Sequence, residues 1–183
     1  MSVLEQGQIQ IHTENIFPII KKAVYSGHEV FLRELVSNGT DAISKRRMAA
    51  MAGDCSEGDE GLINITVDRE AKTVKISDNG IGMTADEVKK YINQVAFSSA
   101  EDFLEKYKQE SDAIIGHFGL GFYSSFMVAK EVELITCSAR PDSEAVRWVC
   151  DGSPAFKLES HERSEPGTDV ILHLMDDELE YLE

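Results

Sequence analysis

The stretch Phe31-Leu32-Arg33-Glu34-Leu35-Val36-Ser37-Asn38-Gly39-Thr40-Asp41-Ala42 constrains this chain more than any other. It lies inside a segment, about Glu29 to Met51, that reads as a helix. Yet it puts polar side chains where a packed helix is apolar. Glu34, Asn38 and Asp41 stand at i, i+4 and i+7, so all three project from one face. Leu35 and Ala42 flank that face and Phe31 lies one turn before Leu35, so the polar face borders the apolar one. A carboxylate, an amide and a second carboxylate in line are either a solvated surface or a site for a metal-bound polyphosphate and a water to be activated. The helix alone does not choose between these.

At 183 residues the chain suffices for one domain with a full hydrophobic core. Its net charge of -15 argues against a nucleic-acid binder, because a polyphosphate backbone would be repelled. A nucleotide would have to be held locally, by backbone N–H groups and a metal rather than by a basic field. Cys55, Cys137 and Cys150 lack metal-ligand spacing and read as reduced thiols of a cytoplasmic protein. The start of the chain has no apolar signal region and no run approaches membrane-spanning length, so no membrane partner is expected.

Alternation at Gln8–Ile11 suggests a first strand, and Thr13 can cap a helix running to about Tyr25. Gly53–Gly61 is acidic and glycine-containing, hence a loop. Strands follow at Leu62–Val67 and Thr73–Asp78. Thr84-Ala85-Asp86-Glu87 has capping-box spacing and opens a helix through Val95. Ala96–Ile115 is largely polar. A glycine-rich turn then enters a helix at about Gly121–Val128. Four strands complete the chain: Glu131–Ser138, Ala145–Asp151, Ala155–Glu159 and Thr168–Leu174. Helices gathered early and strands gathered late predict an α+β, two-layer α/β sandwich with an antiparallel-rich sheet. Val74, Ile76 and Asp78 share parity, as do Thr168, Val170, Leu172 and Leu174. A carboxylate and a hydroxyl thus end two apolar stripes. Either both lie in water at strand ends, or both face a ligand, since burial without partners costs about 1–3 kcal/mol.

Asp78-Asn79-Gly80-Ile81-Gly82-Met83 follows a strand directly. Its two glycines permit close approach of a ligand. Asp78 can accept a hydrogen bond from an exocyclic amine such as that of adenine, and Ile81 and Met83 can contact a flat ring. A plain β-turn is the commoner reading of Asp-x-Gly alone. Gly116-His117-Phe118-Gly119-Leu120-Gly121-Phe122-Tyr123 leads into a helix whose N–H groups can hold phosphates. Phe122 and Tyr123 stand where a Walker motif needs Lys and Ser/Thr, which excludes a P-loop.

Together these elements are far more specific than apart. Phe31–Ala42, Gly80-Ile81-Gly82-Met83 and Phe118-Gly119-Leu120-Gly121-Phe122-Tyr123-Ser124, followed by Gly167-Thr168 before a strand, resemble the Bergerat-fold (GHKL-type) ATPases. Within that superfamily the chain is most similar to the N-terminal domain of the ninety-kilodalton heat-shock chaperones, in their bacterial form. The resemblance covers essentially all 183 residues and implies a mixed but antiparallel-rich sheet. It implies ATP/ADP and Mg2+ as cofactors, with Glu34 as the general base and Asn38 as the Mg2+ ligand. Asp78 would read the adenine amine, with Thr168 supporting it through water. Asp41, Ala42, Ile81, Gly82, Met83 and Asn93 would line the nucleotide. Gly116, His117, Phe118, Gly119, Leu120, Gly121 and Phe122 would cradle the phosphates under a mobile lid at about 96–115. Ala96-Phe97-Ser98-Ser99-Ala100 starts that lid without the lysine common in the family.

The same resemblance implies a cytoplasmic, stress-response chaperone. By that resemblance it would act on unfolded clients and dimerise when full length, whereas this domain alone would be a monomeric, weak ATPase. The resemblance further implies that the middle and C-terminal domains of the full chaperone are not part of this sequence. Two other readings stand beside it: a non-hydrolysing nucleotide-binding regulatory module, and a histidine-kinase-type catalytic domain.

Overall fold

The computed structural model describes residues 27, 29–93, 121–153 and 155–183. The strand expected at 8–11, the helix at 13–25, the lid at 96–115 and the glycine-rich residues 116–120 lie outside the described residues.

Helix α1 spans Val30–Met51, as its pattern predicts. Strands β1 (Ile63–Asp68) and β2 (Thr73–Asp78) form a hairpin. Helix α2, Ala85–Tyr91, opens on the predicted capping box. The Glu87 N–H donates to Thr84 Oγ1 at 3.3 Å, and the Thr84 N–H donates to Glu87 Oε2 at 2.9 Å. The predicted helix at 121–128 is instead a 3-10 helix, Gly121–Met127. There Ser124 Oγ donates to the Gly121 carbonyl at 2.6 Å, and such local side-chain bonding competes with the i→i+4 ladder. Strands β3 (Ala129–Cys137), β4 (Val146–Cys150), β5 (Lys157–Ser160) and β6 (Gly167–Leu174) follow. A short 3-10 helix at Leu179–Leu182 has no counterpart in the sequence reading.

The sheet order is β1-β2-β6-β3-β4-β5, and every pairing among the described residues is antiparallel. One face carries Val74, Ile76, Val132, Leu134, Trp148, Val170, Leu172 and Leu174, packed on Phe31, Leu35, Val88, Phe122 and Met127 from the helical layer. This is the α+β sandwich that the segregation of helices and strands predicts. The opposite face is polar: Arg147 bridges Glu133 at 2.7 Å and Glu159 at 2.8 Å, and His173 reaches Glu133 at 2.6 Å. The helix layer and the sheet meet along α1, so the polar face of α1 opens at the end of the sheet where β2 and β6 present their last polar residues.

Candidate functional site

Antiparallel register builds the floor of the site. Asp78 of β2 lies opposite Thr168 of β6, and Thr168 lies opposite Thr136 of β3. The three side chains therefore continue three neighbouring apolar stripes and share one face of the sheet. Thr168 is buried and its Oγ1 lies 2.9 Å from Thr136 Oγ1. Thr136 also donates to the Gly167 carbonyl at 3.1 Å and accepts the Met83 N–H at 2.9 Å. A buried hydroxyl pair thus ties the Gly80–Met83 turn to the sheet. Sequence alone does not single out Thr136, although its parity with Val132 and Leu134 places it on the same apolar face.

The turn itself is tightly seated. Asp78 Oδ1 accepts the Gly80 N–H at 2.8 Å, the Ile81 N–H donates to the Ala42 carbonyl at 2.9 Å, and the Ala139 N–H donates to the Ile81 carbonyl at 2.7 Å. Gly82 has φ +61° and a Cβ there would collide with the Cys137 carbonyl oxygen. Gly167 has φ +132° and a Cβ there would collide with the Asp78 carbonyl oxygen. Both positions need glycine for conformation and for space.

Burial pushes the Asp78 carboxyl up from 3.8 to about 7, against the lowering effect of the Gly80 N–H and the Arg163 guanidinium. An unfolded-chain aspartate has no such shift. Between about pH 4 and pH 7 the folded state therefore keeps a proton that the unfolded state has lost, and stability falls as pH rises through this window. Asp78→Asn removes the effect. Above pH 7 we expect the variant to be at least as stable as the parent, by up to a few kcal/mol. The gap should close as pH falls toward about 4. Thermal unfolding of both proteins at pH 4.5, 6 and 8 checks this.

Helix α1 supplies the other wall. Glu34 is half-buried, Asn38 is exposed and Asp41 is buried. Burial pulls the Lys45 ammonium down, and the Asp41 and Glu87 carboxylates oppose that effect. Asp41 therefore faces a cation one turn along its own helix. Gly121 lies against Glu34: a Cβ on Gly121 would come within 2.7 Å of Glu34 Oε2. Gly39 backs onto Asp78, whose Cβ would lie 3.4 Å from one on Gly39. The structure thus gathers Glu34 with Gly121, and Ala42, Asp78, Ile81, Gly82, Met83 and Thr168 around one turn.

Two predicted site residues have structural partners elsewhere. Asn93 Oδ1 accepts the Trp148 indole N–H at 2.8 Å. The Phe122 ring is buried edge-on to Trp148, 5.6 Å between centroids, so its side chain packs in the core. Gly116, His117, Phe118, Gly119 and Leu120 lie outside the described residues.

The donor set beside Glu34 suits a hard divalent cation. Asn38 offers an exposed amide oxygen, and a small cation that keeps several waters needs few protein ligands.

A family model described as "Histidine kinase-, DNA gyrase B-, and HSP90-like ATPase" matches residues 25–155. The chain is 56% identical over 180 residues to "Chaperone protein HtpG" of Bacteroides thetaiotaomicron, covering 98% of this chain and 26% of that protein. It is 52% identical over 180 residues to that of Porphyromonas gingivalis, covering 97% of this chain and 26% of the relative. It is 43% identical over 189 residues to that of Hydrogenovibrio crunogenus, covering all of this chain and 30% of the relative. The chain thus spans between a quarter and a third of the length of these relatives.

Proposed function

The chain belongs to the histidine kinase-, DNA gyrase B- and HSP90-like ATPase family, and from that premise we propose that it is the ATP-binding and ATP-hydrolysing domain of a molecular chaperone. The observation that carries this reading is the Asp78–Thr168–Thr136 row beneath the Gly80–Met83 turn, with Glu34 and Gly121 side by side on the adjoining wall. A half-buried carboxyl at the end of an apolar stripe accepts the adenine amine. Thr168, fixed by Thr136, supports a water on the ring edge, and Met83 and Ile81 flank the ring.

Asn38 would hold Mg2+, which supplies charge neutralisation on the phosphates when bound. Backbone N–H groups of the glycine-rich segment 116–121 would hold phosphate oxygens. Glu34 orients the attacking water and takes its proton, from a position one helical turn before Asn38. Phosphoryl transfer needs positioning and charge stabilisation more than covalent chemistry, and these residues supply both. Asp41, Ala42, Gly82, Asn93 and the segment 116–122 complete the proposed nucleotide set.

In the longer protein the domain would serve a homodimeric, cytoplasmic stress-response chaperone that binds unfolded clients, its middle and C-terminal domains lying beyond these residues. No helix among the described residues is long and apolar enough to cross a membrane.

Phosphate release from ATP tests the reading. We expect turnover that stops when Mg2+ is chelated, slow in this domain and faster in the full-length chaperone. Tight nucleotide binding with no turnover in either form would favour the non-hydrolysing regulatory module.

A further inference from the structure

Arg46 lies on α1 five residues beyond Asp41, on the side of the helix turned away from Glu34 and Asn38. It lines a cleft of about 390 Å³ together with Ile43, Arg47, Gly58, Glu60 and Asn79. From there Arg46 Nη1 donates to the Asn79 carbonyl oxygen at 2.8 Å. That carbonyl belongs to the same peptide unit as the Gly80 N–H, which donates to Asp78 Oδ1 at 2.8 Å. A trans peptide is planar, so fixing the direction of its C=O fixes its N–H in the opposite direction. A guanidinium on the carbonyl also polarises the peptide and strengthens the N–H as a donor.

The guanidinium is itself held by packing. Its Nε is buried and has no hydrogen-bond partner among the described residues. The backbone at Gly58 closes over it, and a Cβ on Gly58 would lie 2.5 Å from Arg46 Cζ. The Asn79 side chain fastens the same turn to the loop: Oδ1 accepts the Leu62 N–H at 2.8 Å and Nδ2 donates to the Glu60 carbonyl at 2.9 Å.

We propose that Arg46 is a positioning residue for adenine recognition, which aims the Asp78 carboxyl by gripping the Asn79–Gly80 peptide from outside the nucleotide pocket. The acidic loop around Gly58 is the clamp that keeps Arg46 in place. The proposal rests on the reading of Asp78 as the group that accepts the adenine amine.

The test compares ADP with inosine diphosphate, which has a carbonyl where ADP has the amine. Both are titrated with Mg2+ into the parent, Arg46→Gln, Gly58→Ala and Arg47→Gln, with thermal unfolding to show that each variant is folded. The parent should prefer ADP. Arg46→Gln should lower ADP affinity about tenfold and bring the ADP-to-inosine-diphosphate ratio toward one. Gly58→Ala keeps Arg46 but displaces its guanidinium, and should shift the ratio the same way. Arg47→Gln, beside the same cleft, should leave the ratio unchanged. Folded Arg46→Gln and Gly58→Ala proteins with the parental ratio would overturn the proposal. An equal loss of both ligands would also overturn it, since misaiming Asp78 must act on the amine. A parent that binds neither nucleotide would instead overturn the reading of the site.

Discussion

Glu34→Ala, in the longer protein proposed above, should hydrolyse ATP roughly 10²–10⁴-fold more slowly than the parent, the range expected for loss of a general base. ATP affinity should stay within about twofold, because the proposed site sets Glu34 to meet a water and not the adenine. Its half-buried carboxylate faces Gly121, where no side chain intervenes, and its salt-bridge contact with the exposed Arg33 is long at 3.7 Å. Neither contact commits the carboxylate to a structural role, so removing it costs the fold little. Steady-state phosphate release and ATP titration on the same preparation separate the two effects. Parental turnover in the variant would remove Glu34 from the chemistry.

Asp78→Asn should weaken ADP binding by about 10²-fold or more while the domain stays folded. A site built to pair with a polar group rejects a mismatched partner strongly, because desolvated donors are left unpaired. Here the amide would present its NH2 or its oxygen to a ligand that also donates, and the Gly80 N–H competes for the oxygen. The expected stability of this variant above pH 7 makes the two readouts move in opposite directions. That contrast separates a functional carboxylate from a structural one. Unchanged ADP affinity would remove Asp78 from the adenine site.

Much of this architecture was legible in the sequence because it is local. Alternation at Thr73–Asp78 gave β2 its observed bounds, and Thr84 with Glu87 made the capping box that opens α2. The polar line on α1 was visible from the helical period alone. What stayed hidden is non-local. Thr136 joins the site only because β3 pairs with β6 in a register that sets it beside Thr168, and no spacing within β3 announces that pairing. Arg46 reads as an ordinary helix-surface arginine until the β2 turn is folded against it.

Ambiguity of residue type accounts for the rest. Phe122 follows a glycine-rich sequence, which suits a ligand cradle, but its ring is equally suited to the core and is found there. Asn93 likewise satisfies the Trp148 indole. The segment after Gly121 reads as an α-helix by composition, yet Ser124 bonds back to the Gly121 carbonyl and the segment winds as 3-10.

Calorimetric titration of this chain with ADP and Mg2+ tests the central claim most directly. One saturable site per chain is expected, lost on Asp78→Asn and weakened when Mg2+ is chelated. Absence of saturable heat with the parent at millimolar ADP, in a protein shown to be folded, would contradict a nucleotide site at the Asp78–Thr168–Thr136 row.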